Sequence, residues 1–103
     1  MRRGFLSRFF LLPAIGQPAP APPAKDRILI KSSWGSADPT QASFAFHHAN
    51  AFAEAGHDVQ VFLLGEAVSL MRTVVANAVV PVGWAPLSEA LAKAIAHRVP
   101  IHV

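Results

Sequence analysis

The stretch from Gly56 to Val68 constrains the fold of this chain more than any other segment. Gly56 is suited to end a helix, because glycine readily adopts the left-handed conformation that follows the last helical turn. The run Val59–Leu64 is apolar apart from one glutamine and is too short for a helix, which is typical of a buried strand. Gly65 then turns the chain into another helical segment. A helix, a strand and a helix in direct succession indicate an α/β domain.

A second strand and a helix start precede this stretch. The short apolar run bounded by Arg27 and Lys31 predicts a strand that is buried on both faces, as in a parallel sheet. Asp38 can cap a helix in which Pro39 takes the first position and Gln41 lies in the first turn. The apolar residues that recur at helical spacing in this helix are Ala42, Ala45, Phe46, Ala49, Phe52 and Ala53.

The rest of the chain predicts two further helices and a third strand. A helix is expected over residues 66–76, Pro86 begins another helix, and residues 100–103 begin a strand. The core stripe expected on the last helix consists of Leu87, Leu91 and Ile95. Crossovers of this length imply parallel strands with right-handed connections. The expected fold is therefore a three-layer α/β sandwich with a parallel sheet, in the order β-α-β-α-α-β, cut short after the third strand.

Residues 1–24 are expected to be a leader that is separate from the domain at 25–103. Arg2, Arg3, Phe5 and Leu6 form a pattern that resembles the twin-arginine export signal, in which a cationic head precedes an apolar segment. That resemblance implies export to the periplasm. The prolines that follow fit equally well with a disordered tail on a cytoplasmic protein. The apolar run is too short to span a membrane in either case.

The charge of the chain lies in its leader. The net charge of +3 comes from Arg2, Arg3 and Arg8, because the nine basic residues less these three equal the six acidic ones. Residues 25–103 are formally neutral and their charges are scattered, so they show no basic patch of the kind that binds nucleic acid. A small domain that is about half hydrophobic gains from burying surface between subunits, and we expect a homo-oligomer.

The loop and strand motifs together are similar to one known family. Residues 32–39 and 56–68 resemble the DsrE/DsrF-like sulfur-relay family, and the likeness extends over residues 27–103. The resemblance implies a persulfide carried on a cysteine that follows the third strand, with other sulfur-relay proteins as partners. This chain has no cysteine and stops where that residue is expected. It is expected to be either a truncated chain or a genuine short homologue, in both cases unable to transfer sulfur as written.

A ligand site is predicted at one edge of the sheet. Ligands of open parallel sheets bind beyond the carboxyl ends of the strands. The candidate ligand-binding residues at those ends are Ser32, Ser33, Trp34, Ser36, Gly65, Glu66 and His102. Hydroxyls and backbone N–H groups at the start of the first helix suit a small anion. The same residues also fit an ordinary capping loop, a tryptophan packed between subunits and a glutamate that stabilises a helix dipole. A non-enzymatic interaction or small-anion-binding module is thus the alternative to a sulfur-relay role.

No residue is assigned to metal binding, to a cofactor or to catalysis. His47 and His48 are adjacent on a helix, so they project about 100° apart and do not readily chelate one ion together. His57 and His97 lie at helix ends, where capping explains both. No nucleophile-elbow pattern supports a serine hydrolase, and the lack of cysteine excludes disulfides and thiolate metal sites within this chain.

Overall fold

The structure, a computed structural model, describes residues 24–103 and shows three strands and their helical connections in the predicted order. The pattern β-α-β-α-α-β is therefore confirmed. The proposed leader, with its arginine pair, lies outside the described residues. The elements are β1 (Arg27–Ser32), α1 (Pro39–Glu54), β2 (Asp58–Leu63), a 3₁₀ helix (Gly65–Met71), α2 (Thr73–Ala78), α3 (Leu87–Ala96) and β3 (Ile101–His102).

The sheet is parallel, with strand order β1-β2-β3. Ile30 pairs in register with Val61, and Val61 pairs with Ile101. Each connection advances by one strand in the same direction. Because such connections are right-handed, both place their helices on the same side of the sheet.

The burial pattern shows that one face of the sheet is covered and the other is open. Val59 and Val61 face the helices and are buried, whereas Leu29 between two half-buried isoleucines is 56% exposed. The prediction that β1 is buried on both faces is therefore wrong. Residues 24–103 supply two layers of the predicted sandwich, one sheet and one helical layer. We call the uncovered side, formed by Leu29, Lys31, Gln60, Phe62 and His102, the open face.

Helix α1 begins and ends as its sequence predicts. Asp38 Oδ1 accepts a hydrogen bond from the Gln41 N–H at 3.0 Å, with Pro39 in the first helical position. At the other end Gly56 has φ +95°. The N–H groups of Gly56 and His57 bond back into the last turn at 3.0 and 3.1 Å. This pair of bonds is a Schellman motif, in which a left-handed residue satisfies carbonyls that the helix leaves free.

Helix α3 ends in the same way without a glycine. Arg98 takes the left-handed position with φ 61°. The N–H of Arg98 bonds to the Ile95 carbonyl at 2.9 Å and that of Val99 bonds to the Ala94 carbonyl at 3.0 Å. An arginine in this conformation is strained, because its Cβ crowds the backbone.

The single helix expected over 66–76 is wrong, because the segment divides at Arg72. Arg72 is extended, with φ −87° and ψ 126°, and separates the 3₁₀ helix from α2. The Ser69 hydroxyl donates to the Glu66 carbonyl at 2.7 Å, a local bond that competes with regular helix formation. Three β-branched residues, Thr73, Val74 and Val75, begin α2 and have lower helix propensity than straight-chain residues.

The core lies between α1, α3 and the covered face of the sheet. From α1 it takes Ala42, Ala45, Phe46 and Ala49, as predicted, whereas Phe52 is partly exposed. On α3 the buried residues are Leu87, Ala90 and Ala94. Ile95 is 59% exposed, so its place in the predicted core stripe is wrong. Steps of four residues drift about 40° around a helix, which carries the eighth residue after Leu87 out of the buried face.

Candidate functional site

The carboxyl edge of the sheet brings the serine-rich loop against the turn after β2. The Leu64 N–H donates to the Ser32 carbonyl at 2.9 Å. Gly35 is buried at the contact, and a Cβ on it would lie 2.8 Å from the Glu66 carbonyl oxygen. Only glycine allows an approach this close. Gly65 makes the turn with φ +52°. The predicted loop and turn residues thus lie together.

The polar groups at this edge already have local roles. The Ser32 hydroxyl accepts a hydrogen bond from the Trp34 N–H at 3.3 Å. The Asp38 carboxylate occupies the N-terminus of α1, where it caps the Gln41 N–H. Glu66 lies in the first turn of the 3₁₀ helix and is exposed. Two carboxylates beside the loop oppose the binding of an anion, so the capping interpretation explains these groups better.

Three of the candidate residues are exposed to solvent at the same edge. Ser33 and Ser36 are exposed, and Trp34 is 49% exposed. A half-exposed tryptophan beside a buried glycine leaves apolar surface available for contact with another molecule. The ligand-binding role of these residues stays a prediction.

His102 lies apart from the other candidates. It is in β3, beyond the central strand, and faces the open side of the sheet. A hydrogen bond joins its Nε2 to Gln60 Oε1 at 2.8 Å, and its ring centroid is 6.0 Å from that of Phe62. Ser32 faces the helices instead and is buried. The predicted set of seven therefore divides into an edge group of six and one residue on the open face.

A groove between α1 and α3 is a feature that the sequence analysis missed. It has a volume of about 590 Å³ and lies on the outer side of the helical layer. Its floor holds Asn50, which is 4% exposed and donates from Nδ2 to the Ala90 carbonyl at 3.0 Å. The sequence contained one indication of this buried asparagine. Asn50 lies four residues after Phe46 and beside Ala49, which places a polar side chain within the buried stripe of α1.

Aromatic side chains gather at one end of this groove. The Trp84 ring lies 4.2 Å from the ring of His47 and 5.8 Å from that of Phe44, measured between centroids. Phe44 also stacks on His48 at 5.6 Å. Burial lowers the pKa of His47, and the neighbouring charges of His48 and Lys93 lower it further. The His47 ring is therefore neutral at pH 7.

The comparisons with known proteins decide the family. The sequence model of the DsrE/DsrF-like family matches residues 26–103, nearly all of the described range 24–103. The chain belongs to the DsrE/DsrF-like family. Comparison with curated proteins gave no match, and neither did comparison with solved structures.

This DsrE-like chain differs from a sulfur carrier in one chemical respect. Its 103 residues include no cysteine, so they offer no thiol on which a persulfide could form. Val103 follows β3, the strand after which the family resemblance places the carrier cysteine, and it is 67% exposed.

The remaining histidines of the DsrE-like domain serve local structure. His57 Nδ1 accepts from the Asp26 N–H at 3.1 Å, which fastens the start of β1 to the end of α1. His97 Nε2 lies 3.0 Å from Glu54 Oε2, linking α3 to α1. Within residues 24–103 no three histidine or acidic side chains gather in a way that could hold a metal ion. No helix in that range is long and apolar enough to cross a membrane.

Proposed function

We propose that this domain takes part in sulfur relay without carrying sulfur on any of these 103 residues. The proposal rests on one combined observation: the chain belongs to the DsrE/DsrF-like family, yet its 103 residues include no cysteine. A persulfide needs a thiolate, and no other side chain of this chain can replace it. The role left to such a domain is contact with subunits or with other proteins of the relay.

The edge geometry supports a contact role rather than chemistry. Where a persulfide anion would need positive potential, the carboxylates of Asp38 and Glu66 supply negative charge. The loop backbone packs tightly against the turn after β2 through Gly35, so the edge has a defined shape. A surface with a defined shape but no thiol to accept sulfur is suited to contact with another protein.

Sulfur loading of the full chain tests the proposal directly. The purified protein is incubated with inorganic polysulfide, and the intact mass is then measured under non-reducing conditions. We expect no gain of a sulfur atom. The matched control is Val103→Cys, which adds an exposed thiol after β3 and is expected to gain sulfur in the same reaction. A gain by the unmodified chain would overturn the proposal.

The intact mass of the protein from its own host tests the same proposal and the leader. We propose that Arg2 and Arg3 direct export through the twin-arginine route, which places the mature protein in the periplasm. A mass equal to this chain, or to this chain without its leader, supports a protein without the carrier thiol. A larger mass with an alkylatable thiol would show that sulfur transfer is intact, and an uncleaved leader in the cytoplasm would contradict export.

A general interaction module is the second candidate, and the open face favours it. Leu29 and Phe62 expose apolar surface on a sheet that the helices within residues 24–103 cover on one side only. We propose a homo-oligomer that uses this surface. Sedimentation velocity measures the outcome. A mass of more than one subunit that falls to one subunit in Leu29→Glu supports this function, and a monomer at all concentrations contradicts it.

A further inference from the structure

The groove between α1 and α3 contains two polar atoms without partners. Asn50 Oδ1 and His47 Nε2 are both shielded from solvent and accept or donate no hydrogen bond among the described residues. Both residues line the groove. A shielded polar atom without a partner destabilises the fold, so such atoms call for an explanation.

The free atoms are suited to a ligand that donates hydrogen bonds. Asn50 Nδ2 already donates to the Ala90 carbonyl, whereas its acceptor Oδ1 has no partner. The neutral ring of His47 can present a lone pair at Nε2 when its proton is on Nδ1. Each atom is shielded from solvent, so its side chain must shift for a ligand in the groove to reach it.

The charge around the groove favours a cation. Glu54 is engaged, with Lys93 Nζ at 3.3 Å and His97 Nε2 at 3.0 Å from its carboxylate. Glu89 also lines the groove, and no lysine, arginine or histidine of the described region lies within 4.0 Å of it. Its carboxylate therefore remains available to a positively charged group.

The walls of the groove leave room for a short carbon chain. They are formed by small or apolar residues, and the volume of about 590 Å³ is in the range of small-molecule sites. These residues are Ala51, Ala85, Pro86, Ala90 and Ala92.

We propose that the α1–α3 groove binds a small organic cation, a primary alkylammonium, whose N–H groups bond to Asn50 Oδ1 and His47 Nε2 beside the Glu89 carboxylate. The alkyl part packs on the alanine and proline walls. This site is independent of the sulfur-relay role and lies on the helical layer, away from the carboxyl edge of the sheet.

A titration followed by NMR tests the site in the full chain. Protein labelled with ¹⁵N is titrated with n-butylammonium chloride, and the Asn50 side-chain amide and the Trp84 indole signals are followed. We expect saturable shifts confined to the groove. Sodium chloride controls for salt, n-butanol for apolar contact, and sodium butyrate for an anion of the same chain length. Equal effects from n-butanol or a larger effect from butyrate would overturn the proposal, as would shifts that do not saturate.

Two charge variants at exposed positions give opposite predictions. Glu89→Gln is expected to weaken n-butylammonium binding about two- to fivefold, the range typical of a partly screened charge pair. Lys93→Gln is expected to strengthen binding by a similar factor, since it removes a competing cation beside Glu54. Asp58→Asn is the matched control, because Asp58 lies outside the groove and pairs with Lys25.

The direction of the changes separates the proposal from the alternatives. A ligand held by apolar contact alone would respond to neither charge variant, and an anion would respond in the reverse sense. Either result would overturn the proposal. Circular dichroism of each variant confirms that the fold is retained before the titration is interpreted.

Discussion

The left-handed conformation of Arg98 predicts that glycine at this position is more stabilising than alanine. Arg98 has φ 61° at the end of α3. An L residue in this region costs about 1–2 kcal/mol. Glycine avoids that cost but adds about 0.5–1 kcal/mol of conformational entropy to the unfolded chain. The difference makes Arg98→Gly more stable than Arg98→Ala by about 0.5–1 kcal/mol.

Alanine is the right reference because the two variants lose the same side chain. The guanidinium of Arg98 lies near the C-terminus of α3, where a positive charge stabilises a helix by about 0.3–1 kcal/mol. Both variants lose this contribution, so the comparison isolates the backbone.

The end of α1 allows the reverse substitution, from glycine to alanine. Gly56 has φ +95°, and a Cβ added there would have no atom within 4 Å. Gly56→Ala is therefore expected to lose stability through backbone strain alone, by about the amount that separates the two Arg98 variants. In both motifs glycine in the left-handed position is therefore expected to be more stable than alanine, by a similar amount.

Urea unfolding followed by circular dichroism measures these differences, with a common m-value required for the comparison. In thermal unfolding the Arg98→Gly melting temperature should lie roughly 2–8 °C above that of Arg98→Ala. Equal stability of the two Arg98 variants, together with a loss in Gly56→Ala, would refute the reasoning. That result would mean that Arg98 does not hold the left-handed conformation in solution.

Four other substitutions test packing and ionisation. Gly35→Ala should lower the free energy of unfolding measured in urea by about 1–3 kcal/mol, because the added Cβ would lie 2.8 Å from Glu66. An unchanged unfolding midpoint would contradict this contact. The lowered pKa of His47 predicts that folding stability falls as the pH drops below 6.5, since the unfolded state then binds more protons. His47→Gln should make folding stability depend less on pH in this range. An equally steep pH dependence would show that His47 is not its cause. Val61→Thr should cost about 1–3 kcal/mol by burying an unpaired hydroxyl, whereas Leu29→Thr on the open face should change the stability of the monomer by less than about 0.5 kcal/mol.

Features set by neighbouring residues could be predicted from the sequence. The start of α1 follows from Asp38 and Pro39, whose effects act within one turn. Its end follows from Gly56, which alone among the local residues takes positive φ without strain. The parallel pairing follows from the length of the connections between strands. Each of these depends on chemistry that spans only a few residues.

Features set by distant contacts could not be predicted. The division at Arg72 depends on which face of the segment meets the core, and the spacing of apolar residues there fits one longer helix equally well. The groove depends on Asn50 meeting Ala90, forty positions along the chain. Its sequence signal was a polar residue in an apolar stripe, which shows that something unusual is buried but not what it contacts. The edge contact of Gly35 with Glu66 is of the same kind.

The open face follows from strand order rather than from any one residue. Sequential strands joined by right-handed connections place every helix on one side, so helices within residues 24–103 cannot reach Leu29. Any cover for this face must come from outside that range, and a second subunit is the cover we propose. Leu29→Thr then distinguishes the two states of the protein. In a monomer it should leave the melting temperature unchanged. In an oligomer that uses this face it should lower the melting temperature, and the wild-type melting temperature should rise with protein concentration. A concentration-independent melting temperature in both the wild type and this variant would refute an interface at the open face.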